Sequence, residues 1–573
     1  MQGWRTSLKP SPTPATPPSE DTATQRATLL PHHHNHTQPK QRSHIFYSCP
    51  PPASNHNKNN KTSHLLGGGK LEQYGIYING KWVDSTSRET FTTRNPATGE
   101  PLAEFPKGTP EDVDRAVKAA RKALPSWKAT PAPLRAEILY NVARMIEKRK
   151  EELATLLTKE MGKIIAEARG DVQEGIDIAK LMASEGRRLK GETVKSELPN
   201  KFCMSIRMPL GVVGLITPWN FPFAIPCWKT MPALVAGNTI VFKPATDTPL
   251  LLTRLIEIFE DAGLPPGVFN YVTGSGGVVG EAIVSHPGVD GVSFTGSVEV
   301  GRRVYTQGAK RLIRVELELG GKNPQIVMDD ANIDLAIEGA LFGAFGTAGQ
   351  RCTATSRLII HEKVYDEMLE KLVERTERLK LGNPLDPSVD VGPVINQGQM
   401  EKILGYIDIG KREGAKLVTG GERATGGELD RGWFVEPTIF EAEHGMRITK
   451  EEIFGPVLAV MKAKNFDEAI HIANDVEYGL SSSIYTKNVN TAFKAIELLE
   501  AGITYVNAPT IGAEISLPFG GVKNTGNGWR EAGSAAIDGY TEIKSVYIDY
   551  SDKLQKAQID VPYEKYTKHV EQG

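Results

Sequence analysis

Cysteine is scarce in this chain of 573 residues, which has only Cys49, Cys203, Cys227 and Cys352. These four are far apart and show no CxxC spacing, which excludes a disulfide scaffold and argues against a structural zinc site. Charge of one sign is also lacking, because 67 Lys and Arg balance 69 Asp and Glu. No apolar run reaches the length of about 18 residues that a membrane span needs. We therefore expect an enzyme of a reducing compartment, without nucleic-acid or membrane partners and without a metal site.

The first 69 residues differ in composition from the rest of the chain. They hold ten of the 37 prolines and seven of the 12 histidines, and Glu20 and Asp21 are their only acids. Such a segment buries too little apolar surface to offset its ordering entropy, so residues 1–70 are predicted to be a disordered tail. A misplaced start, a transit peptide, or metal binding by the histidines at 32–36 are the alternatives. We expect a cytoplasmic location, and this segment leaves organellar import open.

From Leu71 onward, strand and helix patterns alternate. Residues 75–83 read as a hairpin with Asn79-Gly80 at its turn, and helical periodicity follows over 110–190. Short apolar runs then alternate with helix patterns; they lie at 211–217, 239–244, 268–272 and 291–295, and again at 356–362, 417–419, 457–462 and 503–506. This alternation predicts an α/β protein with two doubly wound parallel sheets.

Two glycine-rich loops follow predicted strands and open helix patterns. One spans Phe294 to Gly301 and the other Gly274 to Gly280. Glycines let the backbone approach a phosphate, and a helix N-terminus supplies free N–H groups. Each loop alone could be a simple turn, but two loops on consecutive βα units favour a dinucleotide site.

Cys352 lies in the pentapeptide Gly349-Gln350-Arg351-Cys352-Thr353. Its neighbours are small or polar, and an adjacent cation such as Arg351 is expected to lower the thiol pKa and favour a nucleophilic thiolate. The alternative is that Cys352 is buried filler, as the packing context between Pro226 and Trp228 indicates for Cys227. Cys203 lies in a polar, strand-like segment and lacks the setting of Cys352.

Glu318 stands between two leucines before a Gly-Gly turn, where a partly buried carboxyl with a raised pKa could act as a general base. Glu316 would face the same way on a strand, so periodicity does not choose between them. Asn220 lies in the proline-bracketed loop Thr217–Pro222 and could donate its amide to a developing oxyanion. A solvated glutamate and a turn asparagine are the alternatives.

These pieces, in this order, resemble the aldehyde dehydrogenase superfamily over residues 71–560. The motifs that carry the resemblance are Pro218-Trp219-Asn220-Phe221-Pro222, Phe242-Lys243-Pro244-Ala245, Phe294-Thr295-Gly296-Ser297, Glu318-Leu319-Gly320-Gly321-Lys322, Gly349-Gln350-Arg351-Cys352 and Glu452-Ile453-Phe454-Gly455-Pro456. The resemblance implies that Cys352 attacks an aldehyde, and that Asn220 and the Cys352 backbone N–H hold the oxyanion. It also implies that Glu318 activates water to hydrolyse the thioester to a free acid, with Lys229 and Glu531 relaying protons.

The resemblance further implies a nicotinamide cofactor. The cofactor-binding positions it assigns are Ile216, Pro218, Trp219, Lys243, Thr246, Gly276, Gly280, Phe294, Gly296, Ser297, Leu319, Glu452 and Phe454. One position departs from the pattern, since NAD-preferring relatives often carry Glu where this chain has Thr246. A carboxylate there repels a 2′-phosphate, so we expect NADP to be accepted, alongside NAD.

The substrate clues are the stretches 506–514 and 546–551, which look like the antiquitin and α-ketoglutaric-semialdehyde branches of that superfamily. By that resemblance, Arg351 and the backbone N–H groups of Gly512 and Ala513 hold a distal carboxylate, as in 2,5-dioxopentanoate. The alternatives are that Arg351 tunes the thiol or forms a structural ion pair, and that the enzyme has broad specificity.

The family fold implies three parts. They are a dinucleotide-binding domain at 71–188 and 212–320, a catalytic domain at 321–520, and an oligomerisation arm and C-terminal segment at 189–211 and 521–560. Edge strands in the arm would pair with another chain, so a homodimer or homotetramer is expected. The rival functions are a cysteine hydrolase that pairs Cys352 with a histidine, and a non-catalytic scaffold.

Overall fold

The computed structural model describes residues 71–561. The predictions made for residues 1–70, including those for Cys49 and for the histidines at 32–36, lie outside the described residues, as does His569.

Strands and helices alternate along the described chain. The strands are β1 Glu72–Gln73, β2 Ile76–Ile78, β3 Lys81–Val83, β4 Thr90–Arg94, β5 Pro101–Pro106, β6 Thr193–Lys195, β7 Lys201–Pro209, β8 Val212–Ile216, β9 Thr239–Lys243, β10 Phe269–Tyr271, β11 Gly291–Thr295, β12 Arg314–Glu318, β13 Asn323–Val327, β14 Thr355–His361, β15 Lys416–Thr419, β16 Thr438–Glu441, β17 Val457–Ala463, β18 Tyr478–Gly479, β19 Ser481–Tyr485, β20 Ile503–Val506, β21 Val522–Lys523 and β22 Thr541–Asp549. The helices are α1 Pro110–Ala129, α2 Ala132–Lys148, α3 Lys150–Met161, α4 Ile165–Glu185, α5 Ala224–Ala236, α6 Leu250–Asp261, α7 Glu281–Ser285, α8 Val298–Ala309, α9 Ile333–Phe345, α10 Tyr365–Thr376, α11 Gln397–Arg412, α12 Arg447–Lys450, α13 Phe466–Asn474, α14 Val489–Leu498 and α15 Ala536–Gly539.

The first large sheet has the strand order β12-β11-β8-β9-β10-β2-β3. Strands β8 to β12 run parallel, which confirms the α/β prediction for this half. The hairpin β2–β3 joins antiparallel at the edge, and its turn residues Asn79 and Gly80 both have positive φ, as a two-residue hairpin turn requires.

The second large sheet has the order β15-β16-β17-β14-β13-β19-β20 and is parallel except for β15. Strand β19 reads Ser-Ser-Ser-Ile-Tyr and is fully buried. Because three of its five residues are serines, this strand does not stand out in the sequence as an apolar run. Strands β13 and β16 also fall outside the predicted segments.

Helices α2, α4 and α5 pack into one core against the first sheet. A buried ion pair crosses this core, with Lys163 Nζ 2.9 Å from Asp171 Oδ2. Asp171 Oδ1 also accepts from the Ala224 N–H, 2.7 Å away, and so fixes the start of α5. The Lys163 ammonium lies 3.6 Å from the centre of the Phe221 ring. This pair therefore holds both the loop before α5 and the helix itself.

A separate antiparallel sheet has the order β22-β7-β6 and includes the stretch expected to form the arm. It exposes large apolar side chains, among them Phe202, Ile543 and Tyr547. The domain limits and the oligomeric state stay predictions. Over residues 71–561, none of the helices combines the length and apolarity needed to cross a bilayer.

Replacing Asp171 by Asn should destabilise the fold by about 3 kcal/mol, because it leaves the Lys163 ammonium buried without its counter-charge. The measurement is the free energy of unfolding in urea. Glu137→Gln is the control, since it removes a carboxylate from the exposed pair with Arg187 and should cost about 0.5 kcal/mol. Equal effects of the two substitutions would contradict this account of the core.

Candidate active site

The carboxyl ends of four parallel strands meet at one edge of the first sheet. Ile216 of β8 lies beside Lys243 of β9 and beside Phe294 of β11. Thr295 of β11 lies beside Glu318 of β12. In open α/β sheets, ligands bind outside the carboxyl ends of the strands. The structure therefore gathers motifs that are 100 residues apart in the sequence at one edge.

The two glycine-rich loops leave space at this edge. Gly276–Gly280 forms a single π-helical turn, and a Cβ at Gly276 would meet no atom within 4 Å. A Cβ at Gly280 would lie 3.7 Å from Lys243 Cδ and 3.9 Å from Ile216 Cδ1. Ser297 caps α8 by accepting from Val300 N, which leaves other N–H groups of the first turn free. Gly296 sits where a Cβ would strike the Phe294 ring at 2.5 Å.

Lys243 is buried, and its Nζ donates to the Pro244 carbonyl at 2.6 Å. Burial lowers the pKa of Lys243 to about 8, and the nearby Asp247 carboxylate opposes this shift. Thr246 is exposed beside them. Asp247, one position after Thr246, accepts from Asn396 Nδ2, and the sequence motif did not predict its charge near Lys243.

The second sheet supplies the opposite wall. Trp219 and Phe454 contact edge to face with their ring centres 5.4 Å apart, and Phe454 has a φ of 62°. Glu452 Oε1 accepts from Gly321 N at 3.0 Å, and burial raises the pKa of Glu452. Leu319 packs against Gly301 of α8. Pro218, which precedes Trp219, lies in the loop that follows β8.

A tight backbone turn presents Cys352. Thr347, Ala348 and Gly349 have φ values of 53°, 52° and 68° in succession. Left-handed conformations are costly for Thr and Ala and are held only where the surroundings enforce them. A Cβ at Gly349 would meet the Gly455 carbonyl oxygen at 2.2 Å, so glycine is required there.

Side-chain amides fix the Cys352 segment from both ends. Asn220 Nδ2 donates to the Gln350 carbonyl at 3.1 Å. Asn323 Nδ2 donates to the Cys352 carbonyl at 2.8 Å and to the Ala354 carbonyl at 2.9 Å. Asn220, predicted as the partner of Cys352, is thus hydrogen-bonded to the segment that carries Cys352. Asn323 follows the Gly-Gly-Lys motif, and its role as an anchor was not foreseen.

The Cys352 thiol is only partly exposed. Burial raises its pKa to about 12, and the negative charges of Glu318 and Glu452 add to this shift. Backbone N–H groups of Thr353 and Cys352 oppose it. The expectation that Arg351 lowers the thiol pKa is therefore wrong, because burial dominates and the nearest charges are acidic.

Arg351 points to α4 instead. Its Nη2 lies 2.9 Å from Glu167 Oε1, and its Nε donates to Thr347 Oγ1 at 3.0 Å. The guanidinium sits between the rings of Phe221 and Phe342, at 5.3 and 5.5 Å. This is the structural ion pair named among the alternatives. Within residues 71–561 no hydrogen bond from its Nη1 is found, so that donor stays available to a ligand.

Glu318 is buried at the end of β12, against Gly520. Burial raises its pKa well above the usual value, the Glu531 charge adds to this, and Lys229 and Arg530 oppose it. Lys229 forms a buried ion pair with Glu531 and donates to Ser293 Oγ at 2.7 Å. The structure thus brings the predicted base and both predicted relay residues together.

Residues on α4 and β20 complete the surroundings and had no signal in the local sequence. Glu174 is half-buried, desolvation raises its pKa to about 7, and the charges of Lys163 and Arg351 oppose that rise. The buried Tyr505 hydroxyl lacks a hydrogen-bond partner in the described chain. Burial raises its pKa, and the charges of Cys352, Glu174 and Glu514 add to this shift. Gly512 and Ala513 lie in the loop after β20, and among residues 71–561 their N–H groups donate to no acceptor.

The described histidines lie elsewhere. His286 contacts Asp114, His361 accepts from the Lys363 N–H, and His444 contacts Asp475. His444, His471 and Asp475 could together face a cation, but the Lys450 ammonium already lies 2.6 Å from Asp475 Oδ2. In the described part of the chain, no histidine is hydrogen-bonded to Cys352, as a cysteine hydrolase would require.

Comparison with known proteins agrees with this geometry. The family model described as "Aldehyde dehydrogenase family" matches residues 82–546. The α-ketoglutaric semialdehyde dehydrogenase of Bacillus subtilis is 44% identical over 477 residues, which is 83% of this chain and 98% of the relative. The 2,5-dioxopentanoate dehydrogenase of Saccharolobus solfataricus is 44% identical over 472 residues, with 82% and 98% covered.

Solved structures give the same result. The betaine aldehyde dehydrogenase of Staphylococcus aureus, in complex with NAD+, superposes with a TM-score of 0.82 at 36% identity, covering 84% of this chain and 96% of that one. A matched family model across most of the chain and relatives of 44% identity settle the family. This chain belongs to the aldehyde dehydrogenase family.

Proposed function

We propose that this aldehyde dehydrogenase oxidises a short aldehyde that carries a carboxylate, such as 2,5-dioxopentanoate, to the free acid through Cys352. The observation that carries the mechanism is that the buried Glu318 carboxyl and the Cys352 segment converge on the Gly320-Gly321 turn, where the Glu318 charge raises the pKa of the Cys352 thiol. A nucleophile beside a base of raised pKa is the arrangement that covalent catalysis followed by hydrolysis requires. The 44% identical relatives named for this substrate support the choice.

The residues of this chain supply the nucleophile, the base and the oxyanion donors of the reaction. The Cys352 sulfur adds to the aldehyde carbon, and the thiol proton passes to Glu318. The Asn220 amide and the Cys352 N–H stabilise the oxygen that becomes negative. In the second half, Glu318 takes a proton from water, and the water oxygen adds to the carbon of the thioester that hydride loss to a bound nicotinamide would leave. The C–S bond then breaks, which releases the carboxylic acid and the Cys352 thiolate.

The first sheet edge fits a nicotinamide dinucleotide. Open space above Gly276, the free first turn of α8 and the orphaned buried Thr295 hydroxyl form a polar cradle there. Gly296 and Ser297 would hold the pyrophosphate, Lys243 the adenosine ribose, and Glu452 with Phe454 the nicotinamide half. When bound, the nicotinamide supplies the hydride acceptor. Ile216, Gly280 and Leu319 would complete the walls.

Three donors could hold the substrate carboxylate: the free Nη1 of Arg351 and the N–H groups of Gly512 and Ala513. A planar guanidinium binds a carboxylate well, and its flat faces are already covered by Phe221 and Phe342. The pairing of Arg351 with Glu167 favours a second candidate, a broad-specificity aldehyde dehydrogenase in which this cation is neutralised.

We also propose that NADP is accepted beside NAD. Thr246 is exposed where a glutamate would repel a 2′-phosphate, and Lys243 lies close by. Because the Lys243 pKa is about 8, its charge is present below that pH and is lost above it. Attraction of the extra phosphate should therefore weaken as the pH rises through 8.

Glu318→Gln should slow the first turnover and lower the steady-state rate by at least about a hundredfold, because both the Cys352 thiol and the hydrolytic water lose the base that takes their proton. The measurement is the burst and steady phase of reduced cofactor at 340 nm. Cys352→Ala, as the matched control, should abolish both phases. A steady rate of Glu318→Gln equal to that of the unchanged enzyme would contradict the mechanism.

Arg351→Leu should raise KM for 2,5-dioxopentanoate by about tenfold or more and leave KM for benzaldehyde nearly unchanged, because only the first has a carboxylate to bind. Initial rates over a range of each aldehyde give both values. Arg187→Leu, at an exposed arginine, should alter neither. Equal changes for both aldehydes would favour the broad-specificity candidate.

Thr246→Glu should raise KM for NADP by about tenfold or more and change KM for NAD little, because a carboxylate repels only the 2′-phosphate. Initial rates with each cofactor provide the comparison, and Thr246→Gln separates charge from size. Strict use of NAD by the unchanged enzyme would overturn the proposed dual use.

A further inference from the structure

A second buried carboxyl lies two residues before Glu318 on the same strand. Glu316 is only 5% exposed, and successive odd or even positions of a strand share one face. A Cβ at Gly539 would strike Glu316 Oε1 at 1.3 Å, just as one at Gly520 would approach Glu318 Oε1 at 2.7 Å. The fold therefore keeps a glycine against each of these carboxyls and makes room for both.

Glu316 is linked to the proposed relay through Ser293. Ser293 of β11 lies beside Glu316 of β12, and Lys229 Nζ donates to Ser293 Oγ at 2.7 Å. The Ser293 hydroxyl lowers the pKa of Glu316. Glu316 Oε2 has no hydrogen-bond partner of ordinary geometry among the described residues. This unpaired carboxylate oxygen can therefore accept a proton.

The cluster has more acids than cations. Glu316, Glu318 and Glu531 face the single ammonium of Lys229, and Arg530 acts on Glu318 from one side. Arg314 also borders Glu316, but its guanidinium donates to Glu542 and to backbone carbonyls. Isolated charges are costly to bury, so the cluster retains protons at neutral pH. Burial raises the pKa of Glu316 to about 7, which makes it an exchangeable holder.

We propose that Glu316 stores the proton that Glu318 takes from the hydrolytic water, receiving it through Lys229 and Ser293. The Ser293 hydroxyl passes its proton to the Glu316 carboxylate and takes one from the Lys229 ammonium. Lys229 then recovers a proton from Glu531, which is resupplied by Glu318. Glu316 is a positioning residue that acts through Glu318, so this inference rests on the proposed function.

The charge of Glu316 also contributes to the pKa of Glu318, and so to the pH at which Glu318 becomes a base. The ionised Glu316 raises the pKa of Glu318. Glu316→Gln removes that charge, so the pKa of Glu318 falls and the acidic limb of the hydrolysis rate should move about one pH unit lower. Because the proton holder is lost, the plateau rate should fall about tenfold. Ser293→Ala retains the Glu316 carboxyl and breaks the link, so it should lower the plateau and move the limb less than Glu316→Gln does.

The experiment measures thioester hydrolysis between pH 5 and 10 with the full-length enzyme and p-nitrophenyl acetate, an activated ester that acylates a thiol without any cofactor. The steady phase of nitrophenolate release reports hydrolysis. Glu185→Gln is the matched control, because Glu185 is equally buried at 5% exposure and should leave the profile unchanged. Far-ultraviolet circular dichroism confirms that each variant is folded.

The opposing results are distinct. A Glu316→Gln profile that superposes on that of the unchanged enzyme, or one that matches Glu185→Gln, would overturn the role of Glu316. Should Glu318→Gln also hydrolyse the thioester at the normal rate, the proposed function itself would fail. A loss in Glu318→Gln together with an unshifted Glu316→Gln would remove only the present inference.

Discussion

The active half of this molecule depends on keeping charges paired where water does not reach. Helix α5 carries one such charge, the Lys229 ammonium, which is fully buried against Glu531. The start of the same helix is held by Asp171, itself paired with the buried Lys163. Breaking either pair would leave an uncompensated charge in the core, so each pair fixes the helix between them. The loop that carries Asn220 leads directly into α5, so the position of the helix also fixes the position of the loop.

The short connection from β12 to β13 joins the two sheets and explains how their functional groups meet. A Cβ at Gly320 would strike Glu452 at 2.3 Å, and one at Gly321 would strike the Cys352 carbonyl at 2.4 Å. Glu318 precedes these glycines, and Asn323, which anchors the Cys352 segment, follows them. The six residues from Glu318 to Asn323 thus carry the candidate base and approach both the Cys352 segment and Glu452, which explains why both glycines are irreplaceable in this geometry.

Much of the architecture could be predicted from the sequence, because buried parallel strands announce themselves as short apolar runs. Strand β19 could not, since three of its residues are serines whose hydroxyls find partners only in the folded chain. The principal site residues were found through short motifs. The partner of Arg351 was not, because Glu167 lies 184 residues upstream on α4 and no local pattern links them. The pKa of Cys352 was predicted to shift in the wrong direction for the same reason. Burial and two acids that are remote only in the sequence, Glu318 and Glu452, raise this pKa, and the adjacent arginine does not decide it.

A neutral resting thiol has a chemical consequence. The thiolate is the nucleophilic form of cysteine, and the raised pKa keeps Cys352 as the neutral thiol. The thiol proton must then be removed during catalysis. Glu318 is the acid whose charge has the largest effect on the thiol pKa. The same carboxyl later accepts a proton from water. Two protons therefore reach Glu318 in one turnover, and it can take the second only after it has given up the first. A buried base with this double duty needs an outlet, and the ammonium of Lys229, bonded to both Glu531 and Ser293, is placed to provide one.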